Sequence, residues 1–204
     1  MTPGARILAL DLEVDPGGQS PGGPNPLGKT EMRNPVRSRI RMASLLLLDR
    51  NAGEAELNTF EGEERSVISS LSGSFSRWPD ATIVTFNGMS FDIPILRGRA
   101  LVNHVFDEGL ADLERRRHID VRHAFPGKGS LAMISDLLGL DIDERTLSRR
   151  QKCEADVVRT VLVWLHLEAA RTGQQEVLQC GWKLLAKALD GVRYAHLAAL
   201  FDGL

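Results

Sequence analysis

Four acids stand at positions where a folded core has no use for them. Asp11 and Glu13 close the apolar run Arg6-Ile7-Leu8-Ala9-Leu10-Asp11-Leu12-Glu13-Val14, Asp92 lies inside Phe91-Asp92-Ile93-Pro94-Ile95-Leu96, and Asp156 has Cys153, Ala155, Val157 and Val158 as near neighbours. An unpaired carboxylate in such surroundings costs on the order of several kcal/mol or is forced to take up a proton. A divalent cation removes that cost. Oxygen ligands without histidine or thiolate company favour Mg2+ or Mn2+ over zinc. The competing reading of the first stretch is a strand that leaves the core at Asp11, with both acids on a hydrated edge.

The elements that would have to position these acids can be read from the periodicity. In the first run Leu8, Leu10 and Leu12 share one face and Ile7, Ala9, Asp11 and Glu13 the other, the pattern of a central strand covered by helices on both sides. Asp15 to Asn25-Pro26 is rich in Gly and Pro and excludes regular structure, so residues 15–37 form a mobile loop. Ser38 to Leu48 and Ala55 to Phe60 read as second and third strands in a meander, with the Asn51-Ala52-Gly53 turn between them. A helix over Glu61 to Trp78 carries the stripe Val67, Ile68, Leu71, Phe75. Ala81 to Phe86 is a buried fourth strand left through Asn87-Gly88, and a helix follows from Phe91 to Asn103. Arg117 to His123 is a fifth strand. Ser130 caps a helix over Leu131 to Leu138 that Gly139 closes. A long helix spans Gln151 to Arg171 with Val157, Val158, Val161, Leu162, Leu165 and His166 near one broad face, and helices over Glu176 to Leu189 and Val192 to Phe201 end the chain.

A chain of 204 residues with 43% hydrophobic content suits a single domain with a full core, here 1–204 with a C-terminal helical extension at about 174–204. No span approaches the ~18 apolar residues of a membrane helix, and no apolar leader precedes the first strand, so a cytoplasmic protein is expected. Cys153 and Cys180 lack the spacing of a zinc site or a disulfide framework and read as reduced, non-catalytic thiols. A formal charge of −2 gives no global attraction for polyanions. Basic residues nevertheless cluster at Arg33, Arg37, Arg39 and Arg41, at Arg115-Arg116-Arg117, and at Arg145, Arg149, Arg150 and Lys152. Each cluster reads either as a solvated face or as a phosphate-binding patch. Lys29, Arg33 and Arg37 would make the 15–37 loop a phosphate-holding lid, the alternative being a disordered insertion.

The segments Leu10-Asp11-Leu12-Glu13, Phe86-Asn87-Gly88-Met89-Ser90-Phe91-Asp92-Ile93-Pro94-Ile95-Leu96 and Cys153-Glu154-Ala155-Asp156-Val157-Val158-Arg159-Thr160 resemble, in order, the three exonuclease motifs of the DEDD superfamily. The nearest likeness is to the predicted 3′-5′ exonucleases related to the proofreading domain of family-B DNA polymerases. It extends over roughly residues 6–166, and His118-Ile119-Asp120 also resembles a strand of those proteins. The resemblance implies an α/β, ribonuclease-H-like fold with a mixed five-stranded sheet flanked by helices. It also implies two divalent ions, Mg2+ or Mn2+, held by Asp11, Glu13, Asp92 and Asp156, and hydrolysis of single-stranded DNA or RNA from the 3′ end. Asn87 and Gly88 would let backbone approach the terminal nucleotide and Phe91 would stack near its base. A plain turn and a core ring are the structural alternatives.

One departure matters. The relatives carry a tyrosine four residues before the last aspartate, or a histidine five before, to orient the attacking water; here Lys152 and Gln151 stand there. Lys152 shares a helix face with Asp156 and is the candidate for that position. The departure keeps open a catalytically weakened member that binds nucleic acid or a partner protein, and loop-dependent pocket length keeps open an enzyme of short oligonucleotides.

Overall fold

Side-chain alternation along the first strand, β1 (Arg6–Asp15), feeds two separate cores: Leu8, Leu10 and Leu12 enter one apolar cluster, Ile7 and Ala9 the other. The computed structural model describes residues 6–15, 38–125, 127, 129–140 and 142–201. The expected lid lies outside the described residues from 16 to 37, whereas Asp15, its expected first residue, belongs to β1.

β2 (Arg39–Asp49) runs antiparallel to β1 along its whole length, with a register shift between Glu13 and Val14, and β3 (Glu54–Glu61) continues the meander antiparallel to β2. α1 (Glu64–Arg77) starts three residues later than its acidic opening suggests, because the Glu63 carboxylate caps it by accepting from the Arg65 and Ser66 N–H groups. β4 (Thr82–Thr85) is parallel to β1 and pairs with it only at Ile7, Leu8 and Ala9. α2 (Asp92–Val102) leaves the end of β4. α3 (Glu108–Ala111), which the sequence reading missed, leads to β5 (His118–Asp120), parallel to β4. The sheet order is β3-β2-β1-β4-β5, the mixed five-stranded arrangement expected.

β5 is shorter than the Arg117 to His123 span because the Asp120 carboxylate accepts from the Arg122 N–H and turns the chain into α4 (Val121–Ala124). α5 (Leu131–Leu137) is capped by Ser130, whose hydroxyl accepts from the Met133 N–H, as its sequence indicates. α6 (Arg149–Thr172) begins earlier than expected. Ser148 and Gln151 form a reciprocal capping box there.

The two faces of the sheet are covered differently. α1, α2 and the segment from α3 to Leu113 enclose the Leu8 cluster; α4, α5 and α6 enclose the Ile7 cluster together with α7 (Gln175–Ala188) and the segment Val192–Phe201. Every residue of α6 from Val157 to Leu165 is buried, not one face only, because the sheet lies on one side and α7 with the last segment on the other. That last segment is 3-10 rather than α-helical and is broken at Tyr194, whose hydroxyl donates to the Leu57 carbonyl at 3.1 Å. Among the described residues no helix is long and apolar enough to cross a membrane.

Candidate active site

Beyond Ala9 the parallel strands β1 and β4 no longer pair, and the opening between them is where the acids gather. The Leu12 N–H is taken there by Asp92 Oδ1 at 3.2 Å. Asp92 is the first residue of α2, where free N–H groups and the helix dipole favour a carboxylate. Burial outweighs that help. The Asp92 pKa is pushed up to about 7 by desolvation first, with Leu12 and its own backbone N–H pulling down and Asp120 and Glu13 pushing up.

Asp11, on the Ile7 face of β1, looks toward α6; Cys153 Sγ lies 3.7 Å from its carbonyl oxygen. Burial lifts the Asp11 carboxyl well above the usual range, and the charges of Asp92 and Asp156 lift it further. Glu13 is raised by burial, opposed by the cations Arg149 and Lys152. Asp156 stands at about 6, raised by burial and by Glu144 and lowered by Arg159. All four predicted acids therefore lie in one electrostatic neighbourhood, at one end of the sheet. No three His, Cys, Asp or Glu side chains among the described residues converge tightly enough to make a ready-formed ion site.

The turn carrying the second motif is held from behind. Asn87 adopts a left-handed conformation (φ 65°), and its N–H donates to Asp120 Oδ1 at 2.7 Å while the Met89 N–H donates to Oδ2 at 3.1 Å. Asn87 Oδ1 accepts from Arg122 at 2.8 Å. A Cβ on Gly88 would sit 2.3 Å from Thr85 Oγ1, so this glycine is required by the chain's own packing. Thr85 Oγ1 is in turn 2.8 Å from His118 Nε2. Phe91 packs against the Leu8 cluster, as a core ring would.

Gln151 is already engaged: its side-chain oxygen accepts from the Ser148 N–H at 2.9 Å. Lys152 is half-buried, and its charge reaches Glu13. The neighbouring arginines are paired, Arg149 with Asp15 (2.9 Å), Arg150 with Glu61 (2.8 Å) and Glu154 (3.0 Å), and Arg145 with Asp143 (2.9 Å). Arg116 donates to the Phe75 and Trp78 carbonyls. Asp120, Arg159 and Glu144 escaped sequence reasoning as site residues. The signal for Asp120 was present in His118-Ile119-Asp120, whereas nothing in the spacing marks Glu144.

Residues 37–123, less than half of the chain, match the family described as predicted 3′-5′ exonucleases related to the exonuclease domain of PolB. That span holds Asn87 to Asp92 and Asp120 but neither Asp11 nor Asp156. No curated protein matches the chain. Among solved structures, the family-B DNA polymerase of the archaeon Pyrobaculum calidifontis aligns with a TM-score of 0.55 and 18% identity over 95% of this chain and 27% of that one. The chain thus spans about a quarter of that polymerase. E. coli exonuclease I in its zinc-bound complex with single-stranded DNA aligns more loosely, with a TM-score of 0.47 and 15% identity over 85% of this chain and 42% of that one. The sheet order, the helical layers and the likeness to the polymerase make the fold ribonuclease-H-like, and residues 37–123 resemble a predicted 3′-5′ exonuclease related to the exonuclease domain of PolB.

Proposed function

We propose that this chain is a metal-dependent exonuclease that removes nucleotides from the 3′ ends of single-stranded DNA or RNA, with Asp11, Glu13, Asp92 and Asp156 as ligands of two Mg2+ or Mn2+ ions. One observation carries the reading: the carboxyls of Asp11, Asp92 and Asp156 are all lifted by burial, Asp11 also by the charges of the other two, and Asp92 and Asp156 also by the charge of Glu13. Hard cations relieve that repulsion, and the all-oxygen donor set fits them. When bound, such a pair of ions supplies Lewis acidity to the scissile phosphate and to the departing 3′ oxygen.

The chain's own groups have defined tasks in this reading. The Asp120-held turn at Asn87 and Gly88 offers its edge to the terminal nucleotide, and Phe91 borders the place of its base. Lys152, as a cation beside Glu13, faces negative charge that develops on the phosphate. The chain acts as one domain, since α7 and the last 3-10 segment share the α6 cluster. Asp11→Asn and Asp156→Asn should each abolish release of nucleotides from 3′-labelled DNA and RNA in Mn2+ while leaving the fold intact. Wild-type turnover by pure Asp11→Asn protein overturns the assignment. Engagement of Gln151 in the α6 cap favours, as a second reading, a weakened member that binds nucleic acid; binding without metal-dependent turnover would identify it.

A further inference from the structure

Asp156 has a cationic companion that the motif comparison does not assign. Arg159, one turn further along α6, is 1% exposed. Its Nη1 is shared between Asp156 Oδ1, at 3.3 Å, and the Glu144 carboxylate from the 3-10 turn Glu144–Thr146, while Nη2 donates to the Ile142 carbonyl at 3.4 Å. A guanidinium is tolerated at such depth only with anions against it. One of its two anions is a proposed metal ligand.

The geometry points to Arg159 as the resident counter-ion of the acidic cluster: it competes with divalent cations for Asp156, and Glu144 sets the strength of that competition by drawing the guanidinium toward itself. This inference rests on the four acids being metal ligands. Two charges decide its direction. Arg159 repels an incoming cation and occupies one oxygen of Asp156, while Glu144 attracts the same guanidinium and so loosens its hold. An arginine held by both carboxylates also lets the metal-free protein carry its acids without unfolding. Arg159 is therefore a positioning residue with a measurable effect on ion uptake, apart from any effect on cleavage.

The test is calorimetric titration of Mn2+ into the full chain for wild type, Arg159→Lys, Arg159→Met, Glu144→Gln and the Arg159→Met/Glu144→Gln pair, with thermal unfolding recorded without metal. Arg159→Met should lower the metal-free melting temperature yet bind Mn2+ roughly tenfold more tightly. Glu144→Gln should bind about fivefold more weakly, an effect that falls by more than half in the Arg159→Met background. Arg159→Lys should stay within about twofold of wild type. A purely structural arginine would move the melting temperature and leave Mn2+ affinity alone, and that result overturns the inference. Should Arg159→Met not fold, Glu144→Gln decides by itself, because unchanged affinity there is equally fatal. Absence of Mn2+ uptake by wild type would remove the ligand assignment and this inference together, whereas uptake that ignores Glu144 removes only the inference.

Discussion

Asp120 Oδ1 accepts the Asn87 N–H at 2.7 Å, so the last residue of β5 holds the left-handed turn from which α2 and Asp92 depart. The same carboxylate takes the N–H groups of Met89 and Arg122. Asp120→Ala leaves all three donors without their acceptor and should lower stability by roughly 3 kcal/mol, with Asp120→Asn losing roughly 1 kcal/mol. Urea unfolding measures both. Cleavage should fall further than the folded fraction does, since the turn loosens before the sheet. Unaltered unfolding of Asp120→Ala would show that the carboxylate does not hold the turn.

Metal-free stability should depend on pH in a direction opposite to that of most acidic proteins. A carboxyl whose pKa is raised in the folded state binds its proton more tightly there than in the unfolded chain, so its contribution is present at low pH and is lost as pH rises through the folded value. Asp92 at about 7 and Asp156 at about 6, both from an ordinary 3.8, set the window at roughly pH 4 to 7. Asp15, Asp49, Glu64 and Asp143 are shifted downward and act below that window, their stabilisation being lost as acid is added. The melting temperature in chelator should therefore peak near pH 4 to 5 and decline toward neutrality, and Mn2+ should flatten the decline. A chelator profile that is flat from pH 5 to 8 would contradict the buried-acid account.

Lys152 can be separated from a solvated lysine by three substitutions. If its positive charge meets charge forming on the phosphate, Lys152→Ala should lose roughly 100-fold in turnover, Lys152→Arg should keep part of it, and Lys152→Tyr should recover some through the relatives' arrangement. Single-turnover rates in saturating Mn2+ are the appropriate measurement. Equal rates for Lys152→Ala and wild type across pH would leave that position without a catalytic part.

The two thiols should behave differently. Cys153 is 0% exposed, and burial together with Asp11 drives its pKa far upward, whereas Cys180 is exposed. Native protein should take up about one equivalent of an aromatic disulfide reagent, at Cys180, with Cys153 following only in denaturant. Rapid native modification of Cys153 would mean that α6 parts readily from β1.

The sheet was legible because its strands obey period-two alternation or run continuously apolar, and both patterns are direct consequences of burial. The Leu8 and Ile7 faces of β1 separate as their alternation requires. Helix starts were less legible, because Glu63 and Ser148 fix them through side-chain bonds to particular N–H groups, and composition reports the capping residue only after the register is known. The acids stand out in the sequence for a physical reason, being expensive where they stand. Arg159 was missed for the converse reason: as one more basic residue on a long helix it has no unusual spacing, and its significance comes from Glu144, fifteen positions earlier in sequence and adjacent only after folding.

The opening between β1 and β4 has a further consequence. Asp92 rides on a helix anchored in the Leu8 cluster, Asp156 on one anchored in the Ile7 cluster, and the sheet is the partition between them. Spacing between these two carboxylates is thus a sum over two independently packed layers, and a loosening of either by a fraction of an ångström accumulates at the acids while leaving every strand pair intact. Under the proposed mechanism, cleavage has a narrower tolerance than the fold that carries it. Core substitutions on opposite faces, chosen to shift α2 and α6 in compensating directions, would restore the spacing that either alone disturbs.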